Sequence, residues 1–300
     1  MDENKLKKIA SSPLPPGIPM GDMPGDRIDI SDGVIKKTGK MFPELYTHLE
    51  DLLKKRANHR ATVSIYGPSG SGKSCTASVL AYMLSQAGMG CLIISGDNYP
   101  RRIPCANDNE RLHIFRTGGV RHLAAKGILD PNIVKVLREL QSENRDSDPE
   151  ACREYPWLSQ YISGGTGALA SYIGSPHEID FDEVNGILRD FLKGGQSIWL
   201  KRMGRDEASL WYDKVDMTDK DILILEWTHG NSRYLDHIDL PVFLNTTPEE
   251  TLVYRKKRAR DTRTDSSFTS IVLTLEQKLL MSQIKDASLI VSDNGTVTGP

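Results

Sequence analysis

An eight-residue glycine-rich segment restricts the fold of this chain more than any other part of the sequence. Residues Gly67–Ser74 read GPSGSGKS and match the pattern G-x-x-x-x-G-K-[ST]. The segment follows the apolar run Ala61–Tyr66, which is typical of a buried strand, and overlaps the start of a helical pattern over Gly72–Ala87. A strand, loop and helix of this kind direct several backbone N–H groups and the positive helix end toward one point. The sequence therefore predicts a phosphate-binding loop.

Short apolar runs alternate with helical patterns through much of the remaining chain. Leucines at helical spacing between Phe42 and Arg60 predict a leading helix before the first strand. The further predicted strands and the last predicted helix are Cys91–Ser95, Ile222–Leu225, Val242–Leu244, Ser288–Ser292 and Leu273–Ile284. Because short buried strands that alternate with helices form parallel sheets covered on both faces, we expect an α/β fold of the P-loop NTPase type, with about five parallel strands.

The same alternation divides the chain into parts. Residues 1–27 carry five prolines and few large apolar side chains, so we expect a flexible arm. Residues 111–177 break the alternation, and they predict a mostly helical insertion that covers the site of an acceptor substrate. Residues 28–60 form a leading segment that precedes the core. The core consists of residues 61–110 and 178–300 and includes a basic lid, and the insertion is residues 111–177. The glycine-rich residues 163–167 fit either a loop over a substrate or an ordinary turn.

The composition excludes several classes of function. Lys and Arg number 38 against 40 Asp and Glu, and the formal net charge of −2 offers no positive field for nucleic acid. No apolar run approaches the roughly 20 residues of a membrane span, and the first residues lack the apolar region of a secretory signal. The four cysteines lack metal-ligand spacing, which favours reduced thiols. We therefore expect a cytoplasmic protein that binds neither nucleic acid nor membranes.

Two residues at the end of the glycine-rich loop have side chains suited to a nucleoside triphosphate. Lys73 would place a positive charge between the β- and γ-phosphates, and Ser74 would offer a hydroxyl to Mg²⁺, which prefers oxygen ligands. The residues expected to bind the nucleotide here are Gly67, Ser69, Gly70, Ser71, Gly72, Lys73, Ser74 and Cys75. GTPases and transport ATPases fit less well, because the chain has neither an N-K-x-D guanine reader nor an L-S-G-G-Q signature.

Acidic residues follow two of the predicted strands. Asp97 comes after Cys91–Ser95, and Glu226 comes after Ile222–Leu225. The carboxyl ends of parallel strands meet at the edge of the sheet where ligands bind, so we expect both carboxylates near the γ-phosphate. Asp97 would take the proton of an acceptor hydroxyl or hold Mg²⁺ through water, and Glu226 would orient the hydrated Mg²⁺ or the substrate. Considered alone, Asp97 also fits an Asx turn.

A strongly basic segment lies near the carboxyl end of the chain. Five cations occur between Arg255 and Arg260, after the helix start Thr247–Glu250. Arg255 and Arg258 share a helical face and could close over the triphosphate, where they would neutralise the charge that builds during transfer. A solvated basic helix end is the other interpretation, and the phosphate-binding loop elsewhere in the chain favours the lid.

These features together resemble the uridine kinase and phosphoribulokinase group of P-loop kinases. The motifs that carry the resemblance are Gly67–Ser74, Ser95–Tyr99, Ile179–Asp182, Tyr212–Asp213, Ile222–Gly230 and the R-x-x-R-x-R-D run that begins at Arg255. Their order and approximate spacing agree over residues 61–110 and 178–293. The resemblance implies an ATP- and Mg²⁺-dependent phosphotransferase with a five-stranded parallel core, an acceptor-binding hairpin and an arginine-bearing lid.

The resemblance also implies roles for individual residues. Lys73 and Ser74 would bind the nucleotide and the metal, Asp97 would be the base, and Glu226 would be an acid on the metal side. The residues implied in the lid are Arg258 and Arg260. The residues implied near the acceptor are Asp97, Tyr99, Asp180, Asp182 and Tyr212.

The acceptor is less well defined than the nucleotide. Uridine kinases lack an insertion as long as 111–177, and the expected place holds no clear pyrimidine-binding set of aromatic residues and histidines. Arg116 in the insertion and Arg202 before Tyr212 are candidate contacts for an anionic acceptor. We expect a small metabolite with hydroxyl groups, which could be a sugar, a sugar phosphate, a nucleoside or a hydroxy acid, and we favour one with a carboxylate or phosphate.

Other functions remain open from the sequence. A nucleotide-dependent switch would use ATP to order loops for a protein partner, with residues 1–27 as its docking peptide. An adenylylsulfate-type kinase would keep the loop and Asp97 but fits the basic segment less well. A homodimer is also left open, because nothing in the sequence determines the oligomeric state.

Overall fold

A central sheet organises the computed structural model of the chain, which describes residues 1–25, 28–204, 206–247, 250–251 and 266–299. The strands in these ranges are β1 Ala61–Tyr66, β2 Cys91–Ser95, β3 Ser197–Met203, β4 Leu210–Asp216, β5 Ile222–Glu226, β6 Leu240–Asn245, β7 Leu289–Ser292 and β8 Val297–Thr298. The main sheet has the order β2-β5-β1-β6-β7-β8, and every pairing except that of β7 with β8 is parallel. The predicted α/β fold with five parallel strands is therefore confirmed.

Helices cover both faces of this sheet. Those in the described ranges are α1 Glu3–Ala10, α2 Asp32–Lys55, α3 Lys73–Gln86, α4 Pro104–Ala125, α5 Pro131–Ser142, α6 Leu158–Tyr172, α7 Phe181–Leu192 and α8 Ser267–Ser282. On one face α1, α2 and α3 pack with strand residues such as Val63 and Ile224. On the other, α7 packs with Leu223 and Leu225 and α8 contributes Leu280. Because the parallel strands are buried on both faces, their sequences are mostly apolar. None of the described helices is long and apolar enough to cross a lipid bilayer.

The N-terminal segment of residues 1–25 is packed against the core, which differs from the flexible arm expected from its composition. Helix α1 buries Leu6 and Ile9 against α2 and α3. The chain then reaches the carboxyl edge of β2, where Asp22 contacts Ser95. The apolar surfaces of α2 and α3 supply the packing partners that the segment's own composition lacks, so it is ordered by contacts with residues distant in sequence.

The insertion consists mostly of helices, and its glycine-rich stretch is neither a loop over a substrate nor a turn. Residues 163–167 lie inside α6, which packs against α4. Gly165 of α6 lies beside Gly118 of α4, and a Cβ on Gly165 would lie 2.7 Å from the Phe115 carbonyl oxygen. Because Gly118 and Gly165 have no side chains, the backbones of α4 and α6 can approach closely at this point. The glycines therefore serve the packing of the two helices.

Strands β3 and β4 form a separate antiparallel hairpin. Ile198 and Leu200 on β3 are buried in the cluster that includes α7, which fixes the hairpin beside the carboxyl end of β2. Its outer surface exposes Trp199 and Trp211. The family resemblance implies a hairpin that binds the acceptor, and this hairpin carries the predicted residues Arg202 and Tyr212.

Candidate active site

The glycine-rich loop connects the end of β1 to the start of α3 at the carboxyl edge of the sheet. Gly67 has φ +153° and lies so close to β6 that a Cβ would come within 2.7 Å of the Leu244 carbonyl oxygen. Gly72 precedes α3 with φ +85°, a left-handed conformation that favours glycine. Because α3 begins at Lys73, its first N–H groups and the positive end of its dipole face the loop. The backbone therefore forms a cradle for anions.

The contacts of two side chains of this loop, Lys73 and Ser71, bear on phosphate binding. Lys73 Nζ lies 3.1 Å from the Gly67 carbonyl oxygen and 3.0 Å from that of Pro68. The buried Ser71 hydroxyl has no hydrogen-bond partner within the described residues. A buried donor without an acceptor is costly, and a phosphate oxygen would satisfy it. On another side of the loop, the buried Lys37 ammonium of α2 donates a hydrogen bond to the Ser71 carbonyl oxygen at 3.4 Å.

Glu226 is buried at the end of β5 and joins the loop to β2. Its Oε2 accepts a hydrogen bond from the Ser74 hydroxyl at 3.1 Å, and its Oε1 accepts one from the Ser95 hydroxyl at 2.6 Å. Parallel pairing places Ser95 directly beside Glu226. Burial, and then the nearby Asp97 carboxylate, raises the pKa of Glu226 to about 7. The structure therefore brings the loop and two strand ends together around one carboxyl group.

Asp97 lies in the turn after β2 with its side chain exposed. The preceding residue, Gly96, packs so closely on Trp227 that a Cβ would overlap the indole ring. Because Trp227 directly follows Glu226, this contact holds the ends of two neighbouring strands in register. An exposed carboxylate at this position is accessible to an incoming hydroxyl group.

The oxygen atoms at this edge of the sheet suit Mg²⁺. Ser74, Asp97 and Glu226 supply one hydroxyl and two carboxyl groups, which are the hard donors that Mg²⁺ prefers. Within the described ranges, no group of three or more His, Cys, Asp and Glu side chains could hold a metal ion by itself. Mg²⁺ usually keeps several waters and binds one or two carboxylates together with substrate phosphates. These residues therefore fit an ion that binds together with a nucleotide.

Asp22 of the N-terminal segment enters the same edge of the sheet, and no sequence pattern indicates it. Its Oδ1 accepts a hydrogen bond from the Ser95 N–H at 2.6 Å and another from the Asn98 amide at 3.1 Å. Its Oδ2 accepts one from Nη1 of Arg202 at 2.7 Å. Burial raises the pKa of Asp22 to about 6. A lone aspartate in a stretch rich in proline and glycine carries no motif, so only the structure identifies it.

Three predicted acceptor residues lie around Asp22. We call the group of side chains formed by Asp22, Tyr99, Glu183, Arg202 and Tyr212 the acceptor crevice, after the role expected of its predicted members. Tyr99 is fully buried, and its hydroxyl has no hydrogen-bond partner in the described part of the chain. Burial, and then the Asp22 carboxylate, raises the pKa of Tyr99. Glu183 accepts a hydrogen bond from the half-exposed Tyr212, and burial together with this contact raises the pKa of Tyr212 to about 12.

The remaining predicted residues are not among the five that define the crevice, although the charge of Asp180 contributes to the raised pKa of Tyr212. Asp180 is the N-cap of α7 and lies 3.1 Å from Nη1 of Arg101. Asp182 is exposed in the first turn of α7. The predicted lid residues that lie outside the described part of the chain are Arg258 and Arg260.

Arg116 has a partner inside the insertion, which differs from the acceptor contact expected for it. Its guanidinium donates to both carboxylate oxygens of Asp146, each at 3.0 Å, and to the Gln141 carbonyl oxygen at 2.8 Å. Asp146 is almost completely buried and also accepts a hydrogen bond from Tyr161 at 2.9 Å. Since a buried carboxylate requires such donors, Arg116 is part of the internal structure of the insertion.

A buried ionic network lies between the insertion and α8. Nε of Arg111 lies 2.6 Å from Glu178, and its Nη2 lies 3.2 Å from Glu276. His229 is close to this network, and burial lowers the pKa of its imidazole to about 4. Burial raises the pKa of Glu276, and the charge of Lys73 influences both His229 and Glu276. The network therefore lies near the loop, although no motif in the sequence marks it.

No family model matches this chain. A curated relative, the bifunctional alpha-galactosidase/sucrose kinase AgaSK of Mediterraneibacter gnavus, is 34% identical to it over 263 residues. The match covers 88% of this chain and 23% of the relative. The chain therefore spans about a quarter of the length of the curated relative that it matches.

Solved structures of low sequence identity are also similar to the chain. One, described as a fructose transport system kinase from Silicibacter sp. TM1040, has a TM-score of 0.48 at 14% identity, with 81% of this chain and 94% of that chain covered. The D-glycerate 3-kinase of Cryptococcus neoformans has a TM-score of 0.45 at 10% identity, with 86% and 98% covered. A structure described as a uridine kinase from Bacillus stearothermophilus has a TM-score of 0.35 at 15% identity, with 75% and 94% covered.

Proposed function

We propose that this chain is an ATP-dependent kinase that transfers the γ-phosphate to a hydroxyl group of a sugar. The observation that carries the proposal is the contact between the phosphate-binding loop and the strand ends. Ser74 donates a hydrogen bond to Glu226, and the exposed Asp97 follows the neighbouring strand. A cradle for a phosphate chain thus lies beside a carboxylate that an acceptor can reach, which is the arrangement that phosphoryl transfer to an alcohol requires.

The residues of the site have separable roles in this reaction. The N–H groups of the loop and Lys73 would hold the phosphates in line with the acceptor, and they would stabilise the charge that develops during transfer. Ser74, Glu226 and Asp97 would hold Mg²⁺, which when bound neutralises charge on the β- and γ-phosphates. Asp97 would accept the proton of the attacking hydroxyl at its exposed carboxylate.

The curated relative supports a sugar as the acceptor. Its name combines a glycosidase with a sucrose kinase, and the shared stretch of this chain contains a phosphate-binding loop. Glycosidic hydrolysis relies on paired carboxylic acids and has no use for a nucleotide cradle, so we assign the shared stretch to the sucrose kinase. A hydroxyl of sucrose or of a related neutral sugar is therefore the first acceptor to test.

Acceptor-dependent release of ADP tests the proposal directly. The purified protein would be incubated with ATP and Mg²⁺ and with one acceptor at a time, starting with sucrose, glucose, fructose and galactose and continuing with glycerate and uridine. We expect release of ADP with at least one sugar, together with a phosphorylated product that mass spectrometry detects.

Two outcomes would contradict the proposal. ADP release that is the same with and without any acceptor, and that Lys73→Ala abolishes, would indicate a hydrolase or a switch that acts on a protein partner. Transfer to glycerate or uridine but to no sugar would retain the kinase and reject the sugar. A thermal-shift measurement with a non-hydrolysable ATP analogue shows separately whether the nucleotide binds.

A further inference from the structure

We propose that Asp22 makes the acceptor crevice selective for a neutral, hydroxyl-rich acceptor by occupying the guanidinium of Arg202. The inference rests on the proposed kinase function and concerns the chemical class of acceptor that the site admits. It contrasts with the anionic acceptor that Arg202 suggests when the sequence is considered alone.

Arg202 is engaged by carboxylates of the chain itself. Its side chain is only 10% exposed, and its Nη1 lies 2.7 Å from Oδ2 of Asp22. Its Nε lies 3.2 Å from Oδ2 of Asp213, whose side chain is about half exposed. Two carboxylates against one guanidinium leave no positive charge for a phosphate or carboxylate group of a ligand.

The other cations described around the crevice are paired in the same way. Nζ of Lys201 lies 3.9 Å from Glu183, and Arg101 lies 3.1 Å from Asp180. Glu226 lies nearby and adds a further acidic group, as does Asp97. Around the crevice, the described carboxyl groups therefore outnumber the described cations, and an anionic acceptor would be repelled.

The same surface offers hydrogen bonds to a neutral polyol. Carboxylates accept hydrogen bonds from hydroxyl groups, and the partly exposed Glu183 and the accessible Asp97 lie at this site. The half-exposed Tyr212 adds a hydroxyl group that can both donate and accept. A few convergent polar groups of this kind determine the orientation and specificity of a small ligand.

Asp22 itself occupies a group of donors that would otherwise bind an anion. The Ser95 N–H, the Asn98 amide and the Arg202 guanidinium all donate to its carboxylate, at 2.6, 3.1 and 2.7 Å. A backbone N–H, an amide and a guanidinium that converge on one carboxylate would equally suit a phosphate group. Removing the charge of Asp22 should therefore create an anion site, an effect that a purely structural role for this residue does not predict.

Binding of inorganic phosphate tests this inference. Isothermal titration calorimetry would measure the affinity for phosphate of the wild type, Asp22→Asn, and the double variant Asp22→Asn with Arg202→Gln. A non-hydrolysable ATP analogue with Mg²⁺ would be present throughout, so that the phosphate-binding loop is already filled. Asp213→Asn is the matched control, because it removes an equal charge from the exposed side of the same arginine.

We expect Asp22→Asn to bind phosphate at least tenfold more tightly than the wild type. The gain should disappear in the double variant, and Asp213→Asn should change the affinity by less than twofold. In transfer assays, phosphate should compete with the neutral acceptor in Asp22→Asn and not in the wild type. If Asp22→Asn does not fold, Arg202→Gln alone should leave phosphate binding as weak as in the wild type, because the guanidinium is already occupied.

Other results would overturn the inference. Equal phosphate affinity in the wild type and Asp22→Asn would contradict it, as would a gain that persists in the double variant. A rise in transfer to neutral and anionic acceptors alike would identify the N-terminal segment as an inhibitory plug. Failure of the ATP analogue to bind would count against the proposed function, whereas the phosphate comparison addresses Asp22 separately.

Discussion

The two halves of the candidate site are built in opposite ways. The phosphate-binding loop is one continuous stretch, Gly67–Ser74, and its backbone N–H groups and helix end provide most of its binding capacity. The acceptor crevice is assembled from the N-terminal segment, the end of β2, α7 and the hairpin. Its charge depends on which side chains pair with one another, so we expect a single substitution to change the ligand that it accepts.

Because of this difference, we expect substitutions in the two halves to have different effects on the reaction. A backbone cradle tolerates few changes, because its geometry depends on the turn and on the start of the helix. The charge of the crevice depends instead on which side chains form pairs, such as Arg202 with Asp22 and Asp213. We therefore expect substitutions in the loop to affect the rate of transfer for every acceptor, and substitutions in the crevice to affect the choice of acceptor.

The largest expected effect comes from removing the cation of the loop. Lys73→Ala should lower kcat/KM about a thousandfold with every acceptor, because a charge that stabilises the transition state is lost. The matched control is Lys37→Met, since this second lysine contacts the Ser71 carbonyl oxygen from α2. It should lower transfer by less than tenfold. Equal losses in the two variants, measured by ADP release, would show that charge near the loop matters more than its placement.

Removing the carboxylate after β2 should have the next largest effect. Asp97→Asn should lower transfer about a hundredfold, which is the usual scale for the loss of a general base. Binding of the ATP analogue without Mg²⁺, followed by thermal shift, should be unchanged, because the cradle of backbone N–H groups is intact. Asp190→Asn, an exposed change on α7, serves as the control. Normal transfer in Asp97→Asn would shift the role of base to Glu226.

A substitution in the insertion should affect stability and leave the choice of acceptor unaltered. Arg116→Leu removes the main donor to the buried Asp146 and should cost about 3 kcal/mol of unfolding free energy. The loss would be measured by urea denaturation, and the exposed Arg138→Leu should change little. The KM for the acceptor should stay within twofold of the wild type. A large rise in KM without a loss of stability would restore Arg116 as an acceptor contact.

The smallest effect concerns pH. Because the pKa of His229 falls from 6.5 to about 4 on burial, the unfolded chain takes up a proton there at higher pH than the folded one. This group therefore costs about 2 kcal/mol of stability between pH 7 and pH 5. The raised pKa of Glu276 has the opposite effect on stability as the pH falls. The contribution of His229 is therefore measured by comparing the pH dependence of the wild type with that of a His229 variant. His229→Gln should lose less stability than the wild type over this range, and equal losses would contradict the assignment.

The half of the site that is local in sequence could be predicted. The loop pattern and the apolar runs that precede Asp97 and Glu226 lie within a few residues of the groups that they position. Strand order then brought Ser74 and Glu226 together, because the ends of neighbouring parallel strands meet. No long-range information was needed beyond the assumption of a parallel sheet.

The crevice could not be predicted in the same way. Asp22 lies 73 positions before Ser95 and 180 before Arg202, and nothing in its own neighbourhood indicates those partners. Arg116 is paired with Asp146, which lies 30 positions later in the sequence and which no local pattern connects to it. The glycine-rich composition of residues 163–167 suggested a loop or a turn, because the helix against which these residues pack, α4, is distant in sequence. Contacts between residues distant in sequence decided each of these cases.

The position of Asp22 has a consequence for the order in which the chain acquires its structure. Arg202 leaves the ribosome long after Asp22, so the N-terminal segment cannot settle onto the hairpin while the first strands are being made. Contacts of such large sequence separation slow folding, because a long loop must close before they form. Completion of the acceptor crevice should therefore be among the last steps of folding, after the sheet and its phosphate-binding loop are in place.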